Sequence, residues 1–573
     1  MWALGDRPLP NSATTKLSYQ KTKGIDPGSL VPIIPRKSAL QSHPIRHNLG
    51  AGGIPAYPDA QNLMKIAKNL IALGMASLAS IAGFGTETNP NVIMFVVDDM
   101  NDWISPLGHK QAITPNMDRL AKSGVIFKNA HAPGVFCAPS RTAIWTGLHA
   151  TTTGVYDTEI FYYDYPELAS IQMAFKAAGY NAYGAGKLYH HRSGYVDLRG
   201  WDEYFARSQQ VKDMAYEMNS YHQDDVPLPN PFPYSPYYRE TGREANRHLE
   251  WGPIDNDQEE EMAAAKRTNW ITQKLSQKQD DPFFMALGLY IPHFPNYAPQ
   301  KYFDLYDKEA LELPDYKEDD LDDLPPAIRK QMSNRKKQHT ELESLGAVKD
   351  MLQAWYASIT FADALLGRVL DTLEASPHKD NTLVIFWSDQ GYHKGEKGHH
   401  GKHTLWQRTS RVPFIWAGPG IAKNEAVDAT VSLIDIYPTL TELCRLPVGI
   451  DRRFDGESLV STLKDPSRAE DRDVFLPHAD RGSYAVINSD WRYIQYDDGT
   501  EELYDVKADP NEWTNLLARR SLGEVAAGES EYLPITQRMQ KSAPRIFAPQ
   551  ATSKNSLKLV VEGDTFHWEP KKD

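Results

Sequence analysis

Asn91-Val92-Ile93-Met94-Phe95-Val96-Val97 runs without a break into Asp98-Asp99. A continuous apolar run rich in β-branched and aromatic residues, with no alternation, reads as a strand buried on both faces of a parallel sheet. Far along the chain Thr382-Leu383-Val384-Ile385-Phe386-Trp387 repeats the pattern and ends in Ser388-Asp389-Gln390-Gly391. Open α/β sheets carry their sites beyond the carboxyl ends of strands, so the two acidic ends are expected to share one rim. Asp98, Asp99, Asp389 and the Gln390 amide would then offer only oxygen ligands. That set suits a hard cation, Ca²⁺ or alternatively Mg²⁺. Either acidic end alone says little, because Asp commonly caps a following helix or turn.

Between these ends helix and strand signals alternate. Thr114-Pro115 opens a helix that Gly124 closes before Val125-Ile126-Phe127. Tyr180 to Tyr183 is strand-like, and Ala354 to Leu373 carries apolar residues at helical spacing. The pattern predicts an α/β domain with helices on both faces of its sheet. After about residue 468 the texture changes to short aromatic runs, Tyr484 to Asn488, Trp491 to Tyr496 and Glu502 to Tyr504, with Asp498-Gly499 as a turn. These predict a smaller antiparallel sheet followed by a late helix.

The 573 residues suffice for one large core and a smaller second one. A formal net charge of −13 argues against general attraction to nucleic acid or anionic membrane. Residues 1–63 lack amphipathic period and look unlike a domain, whereas Met64-Lys65-Ile66-Ala67-Lys68, the apolar run Leu70 to Ala82 and the small residues before Thr86 describe a secretory signal peptide. Such peptides stand at the start of a chain, so translation is expected to begin at Met64, with 1–63 a mis-assigned or disordered extension. The run is too short to span a bilayer, so the mature protein is expected to be exported, to a periplasm or beyond, without stable membrane insertion. The remaining expected boundaries are 64–85 for the signal, 86–467 for the main domain, 468–545 for the smaller one and 546–573 for a tail.

Only two cysteines occur, Cys137 and Cys444, too few for a disulfide framework. Cys137-Ala138-Pro139-Ser140-Arg141, with Thr146-Gly147 following, resembles the signature of the type I sulfatases. A small buried cysteine opening a helix is the plain alternative. Gly186-Lys187-Leu188-Tyr189-His190, Pro292-His293-Phe294-Pro295, the segment Gly395 to His403 and Ile434-Asp435-Ile436-Tyr437-Pro438 resemble further landmarks of the family, in family order. The resemblance covers about residues 88–520. It implies an alkaline-phosphatase-like sandwich with a mostly parallel sheet plus a C-terminal antiparallel subdomain. It also implies that a maturation enzyme converts Cys137 to formylglycine, which joins Asp98, Asp99, Asp389 and Gln390 around the metal. Many relatives carry Asn or His where Gln390 stands.

In the chemistry the resemblance implies, the hydrated aldehyde attacks sulfur while Lys187 and the metal hold the sulfate, and Arg141 pairs with the metal-side groups or with the sulfate. His293 or Lys402 serves the leaving oxygen, and His190 removes the second hydroxyl's proton to expel sulfate. The cluster Lys394, Lys397, His399, His400 and His403 is expected to face neighbouring sugar units. Trp251-Gly252-Pro253-Ile254-Asp255 and Leu313-Pro314 through Pro326 look most like the iduronate-2-sulfatase-like branch, which implies a sulfated carbohydrate substrate. Asp224 to Tyr238, dense in Pro and Tyr, is a candidate sugar-facing insertion or a self-packed surface loop. The alternatives are a phosphodiesterase or phosphonate hydrolase of the same superfamily, and a catalytically silent carbohydrate binder with Cys137 unmodified.

Overall fold

The first apolar run forms strand β1 (Asn91–Val97), every residue of it buried, inside an eight-stranded sheet. The other strands are β2 (Gly124–His131), β3 (Asn181–Gly186), β4 (Glu203–Phe205), β5 (Phe283–Gly288), β6 (Thr382–Ser388), β7 (Phe414–Ala417) and β8 (Glu425–Ser432). Their order across the sheet is β8-β2-β7-β6-β1-β5-β3-β4, and β7 alone runs against the rest. The computed structural model describes residues 89–190, 196–205, 240, 249–449, 452–518, 531–553, 557–562 and 565–570, with the two-residue strand Tyr19–Gln20. Residues 21–89 separate as a second unit, of which only Asn89 is described. The expected signal segment 64–85 and the Asp224 to Tyr238 segment lie outside the described residues.

Alternate side chains of each strand enter two different cores, as a pleated strand covered on both faces requires. Ile93, Phe95, Val97, Met285 and Phe386 join the layer under the long helix Val348–Ala375. Val92, Met94, Val96, Phe284, Ile385 and Trp387 face the layer holding the helices Cys137–Thr146 and Ile436–Leu443. This is the expected α/β sandwich.

The smaller sheet is antiparallel in simple order, Val474–Pro477, Tyr484–Ile487, Trp491–Gln495 and Glu501–Asp505, with the late helix Leu533–Ser542 on one face. Its other face, with Leu476, Ala485, Ile487 and Ile494, packs on Leu405, Trp406, Met332 and Val135 of the larger domain. Residues 546–573, expected as a tail, contain a hairpin, Leu557–Glu562 with Thr565–Pro570. The correction has a legible cause. Leu557, Leu559, Phe566 and Trp568 fall on one face and complete a hydrophobic core of the larger domain. Tyr19–Gln20 pairs with the hairpin's edge.

A buried ion pair fastens the two sheets' neighbourhoods together. Arg492 Nε lies 2.5 Å from Glu512 Oε1, its NH1 donates to the Leu405 carbonyl at 2.7 Å, and Glu512 Oε2 accepts from the Gln407 amide at 2.8 Å. Both side chains are all but inaccessible to water. Removing one partner leaves an uncompensated buried charge, at a cost of about 3–5 kcal/mol. Arg492→Met is therefore expected to lower the thermal unfolding midpoint clearly, and Arg492→Met with Glu512→Gln to recover part of the loss. An unchanged midpoint in the single variant would show that the pair does not fasten the C-terminal sheet.

Candidate active site

Four neighbouring parallel strands deliver the polar groups of the site to one rim. In β1 and β6, Val97 stands opposite Ser388, so Asp98-Asp99 and Asp389-Gln390 leave the sheet side by side. On the other flank of β1, Val96 pairs with Gly288 of β5, and Gly288 with Gly186 of β3, which releases Lys187. The two glycines are required by close approach. A Cβ on Gly288 would stand 2.2 Å from the Lys187 carbonyl oxygen, and one on Gly186, at φ +73°, would meet the Gly288 carbonyl. Asp99 takes the left-handed conformation at φ +62°, a strain of about 1–3 kcal/mol. It is held there by its own amide, which donates to Asp389 Oδ1 at 3.1 Å.

Cys137 opens its helix directly above this rim. The thiol donates to Asp98 Oδ1 at 3.6 Å and receives Lys402 Nζ at 3.0 Å, Lys187 Nζ at 3.7 Å and Gln390 Nε2 at 3.4 Å. One turn on, Arg141 spans both acidic strand ends, with Nε 2.8 Å from Asp389 Oδ2 and NH2 3.3 Å from Asp98 Oδ1. Ser140 Oγ donates to the Asp389 carbonyl. Lys187 also pairs with Asp98, and Lys402 with Asp99 Oδ1 at 2.6 Å. His293, whose Nδ1 bonds to the Phe294 carbonyl, turns Nε2 toward Asp99 Oδ2 at 3.6 Å.

Electrostatics follow from crowding charge in a dry pocket. Burial raises Asp389 to about 7 despite Arg141, with Asp98 adding to the rise. Asp99 is likewise raised, first by burial, against the pull of Lys402. Asp98 is buried too, yet Lys187, His293 and Arg141 together carry it well below the usual carboxylate range. Three carboxylates within 4.8 Å of one another would not gather in a buried site without a reason. Asp99 Oδ2 and Gln390 Oε1 are moreover buried with no hydrogen-bond donor. Oxygen atoms left over in this way fit a divalent metal, held by Asp98, Asp99, Asp389 and the Gln390 carbonyl.

Cys137, Asp98, Asp99, Asp389, Gln390, Arg141, Lys187, His293 and Lys402 thus come together as one cluster. His190 and His403 both lie against Phe136, the residue before the cysteine, edge-on at a ring separation of 5.1 Å and stacked at 4.7 Å. The remaining expected sugar contacts require correction. Lys397 is buried, its ammonium donating to Asp320 Oδ1 at 2.9 Å and to the Glu512 carbonyl at 2.6 Å. His400 Nε2 meets His339 Nδ1 at 2.9 Å inside the protein, and His399 is buried against the Lys402 carbonyl at 3.2 Å. Lys394 is enclosed by aromatic rings, 3.1 Å from the centre of Trp355. The cause is shared. The glycine-rich segment is a short ribbon, His393–Lys394 against His400–Gly401, packed beneath the helix Pro326–Ser344 and the C-terminal sheet, and so its polar side chains point into protein. Sequence reading missed Phe136 and also Arg335, whose NH1 reaches the Lys402 and His403 carbonyls at 3.4 Å. The run Arg335-Lys336-Lys337 was its only signal.

Burial and the Asp98 charge push the Cys137 thiol up to about 12 against the opposing Lys187 and Lys402, and burial pushes Cys444 to about 12. A raised thiol stays protonated at every lower pH, and only thiolate is alkylated. Folded, unmodified protein is therefore expected to resist iodoacetamide throughout pH 7–9, and denatured protein to take up two labels, as read by intact mass. Rapid labelling of Cys137 in the folded protein at pH 8 would contradict this picture of the pocket.

Residues 90–445 match the family model described as Sulfatase, and residues 395–538 match that of the N-sulphoglucosamine sulphohydrolase C-terminal region. A sulfatase of Formosa agariphila is 37% identical over 74% of this chain and 82% of its own length. A choline-sulfatase of Rhizobium meliloti is 28% identical (75% and 83%), and an ulvan-active sulfatase of Formosa agariphila is 28% identical (75% and 78%). Among solved structures, a phosphonate monoester hydrolase of Agrobacterium radiobacter superposes with a TM-score of 0.61 at 19% identity, over 79% of this chain and 94% of its own. The family match takes in every residue gathered around Cys137, and the chain belongs to the type I sulfatase family of sulfuric ester hydrolases.

Proposed function

We propose that this protein is an exported sulfatase that removes sulfate from sulfated carbohydrate, with formylglycine made from Cys137 by a maturation enzyme and with Ca²⁺ or Mg²⁺ at the carboxylate cluster. The observation that carries this reading is the pair of ammonium groups, Lys402 at 3.0 Å and Lys187 at 3.7 Å, flanking the side chain of residue 137 above three carboxylates. Such a pocket accepts a sulfuryl group, since fixed cations and a metal can take up its oxygen charge without reorganisation. Likeness to the ulvan-active relative supports a carbohydrate, and the apolar stretch before Thr86 supports export.

When bound, the metal would supply a Lewis acid for a sulfate oxygen, and the modified residue 137 a nucleophile. This chain's own groups do the rest. Arg141, fixed by Asp389 and Asp98, keeps the helix start and the strand ends in register. Lys187 would face the sulfate from the β3 side. Lys402 stands where the leaving oxygen would emerge, and can hold or protonate it. His293 backs that position, its Nδ1 tied to a main-chain carbonyl and its Nε2 turned inward. His190, beside Phe136, is the base proposed for releasing sulfate.

Protein coexpressed with a formylglycine-generating enzyme is expected to show residue 137 as an aldehyde or its hydrate by peptide mass. It should hydrolyse sulfated oligosaccharides in preference to phosphodiesters. Cys137→Ala should be folded and inactive, and Lys402→Ala should lose about 10²–10³-fold in kcat. Full activity of Cys137→Ala, or a preference for phosphodiesters, would overturn the assignment. The metal is checked separately. Asp98→Ala and Asp389→Ala should each lower bound divalent ion in elemental analysis, and normal occupancy in both would refute the proposed ligands.

A further inference from the structure

We propose that Arg335 forms a second anion subsite beside the reaction centre, taking a carboxylate or a further sulfate carried by the sugar whose sulfate ester is cleaved. This rests on the carbohydrate reading above and narrows it to sugars with two anionic substituents.

Arg335 lies on the helix Pro326–Ser344 and is half-buried. Its NH1 contacts only uncharged partners, the Lys402 and His403 carbonyls at 3.4 Å and His399 Nε2 at 3.3 Å. Among the described residues no carboxylate lies within 4 Å of the guanidinium, and its Nε and NH2 take no hydrogen bond. The acidic group facing it is Asp480, whose carboxylate is instead 3.3 Å from His478 Nδ1. Charges removed from water are ordinarily paired, because desolvation is otherwise uncompensated. Arg141, Arg408 and Arg492 obey that rule here, each with a carboxylate within 3 Å. Arg335 departs from it, and burial duly weakens its hold on its proton.

Position turns the unpaired charge into a subsite. Arg335 holds the main chain of Lys402, the same residue whose ammonium reaches the Cys137 sulfur, so one lysine side chain separates it from the reacting group. From the C-terminal subdomain His478 Nε2 contacts the same His403 carbonyl at 3.4 Å, and His403 keeps a left-handed backbone at φ +64°. The loop between the two subsites is thus pinned from both sides. A planar guanidinium with its Nε–NH2 edge unused matches an oxyanion bidentately.

The test uses matured full-length enzyme and four substrates: 4-nitrophenyl sulfate, a monosulfated neutral oligosaccharide, its disulfated counterpart, and a monosulfated oligosaccharide bearing a uronate. The parent is expected to favour the two dianionic sugars, and added NaCl to erode that preference. Arg335→Gln should lower kcat/KM for the preferred sugar about 10–100-fold more than for 4-nitrophenyl sulfate. Arg335→Lys, which keeps the charge, should lose less. A larger loss on the disulfated sugar assigns the bound group as sulfate, and a larger loss on the uronate sugar assigns it as carboxylate. Equal losses on all four substrates would mean that Arg335 only supports the Lys402 loop, and would overturn the proposal. If neither variant folds, the parent's own preference and its salt dependence decide the matter. A parent that cleaves the sugars without favouring a second anion sinks this inference alone. A parent that cleaves only the aryl sulfate sinks the carbohydrate reading, and this inference with it.

Discussion

Everything at the site depends on a register. β1 and β6 lie side by side, parallel and in step, so that Val97 opposite Ser388 brings two Asp-rich strand ends to the same height. A shift of one residue would turn Asp98 or Asp389 into a hydrophobic layer, because successive side chains of a strand point to opposite faces. The register is in turn fixed by the two cores, since Phe95 with Phe386 and Val96 with Trp387 must enter the same layers. Packing of apolar side chains thus positions the carboxylates.

Concentrating three carboxylates in a space without water is costly, and the raised Asp99 and Asp389 express that cost. Arg141, Lys187 and Lys402 offset it, but two carbonyl-type oxygens remain without donors. Cations of the protein alone therefore leave the cluster incompletely satisfied. A divalent ion would complete it, and in doing so would free the ammonium groups for an anionic substrate. Sulfate binding and metal binding would then draw on one set of charges, in keeping with Lys187 and Lys402 each contacting both a carboxylate and the side chain of residue 137.

The sheet and its rim were legible in the sequence for a plain reason. Continuous apolar runs ending in acids, such as Asn91 to Asp99, leave few alternatives to a doubly covered parallel strand. Cys137, Arg141, Lys187, His293 and Lys402 were legible because each follows a strand or opens a helix at a family landmark. The segment from Lys394 to His403 was misread because composition does not report orientation. Glycines, lysines and histidines suggested a cationic cluster facing sugar units, whereas the chain folds them beneath Trp406 and the helix Pro326–Ser344, where Lys397 meets Asp320. Arg335 was passed over for the converse reason. It lies in a strongly polar helix, and only the tertiary fold brings that helix over Lys402. The terminal hairpin escaped because strands so near the chain's end, after a Pro- and Ser-containing stretch, read as a trailing segment.

The misread segment also alters what the C-terminal subdomain is for. Its sheet packs on Leu405 and Trp406, its Arg492 holds the Leu405 carbonyl, and its Glu512 holds Gln407, only a few residues beyond Lys402. His478 adds a contact at His403. Lys402 is therefore held between the two sheets: its ammonium reaches Asp99 at the rim of the larger, and the residues that follow it are seated on the smaller. The two sheets, packed on one another, together define the distance between residue 137 and its nearest cation. In the proposed chemistry that distance decides how well Lys402 meets the leaving oxygen, so the seating of the smaller sheet on the larger would bear on turnover as well as on stability. Changes at this boundary should therefore lower turnover as well as stability, because a displacement of one ångström is already large for a positioned cation.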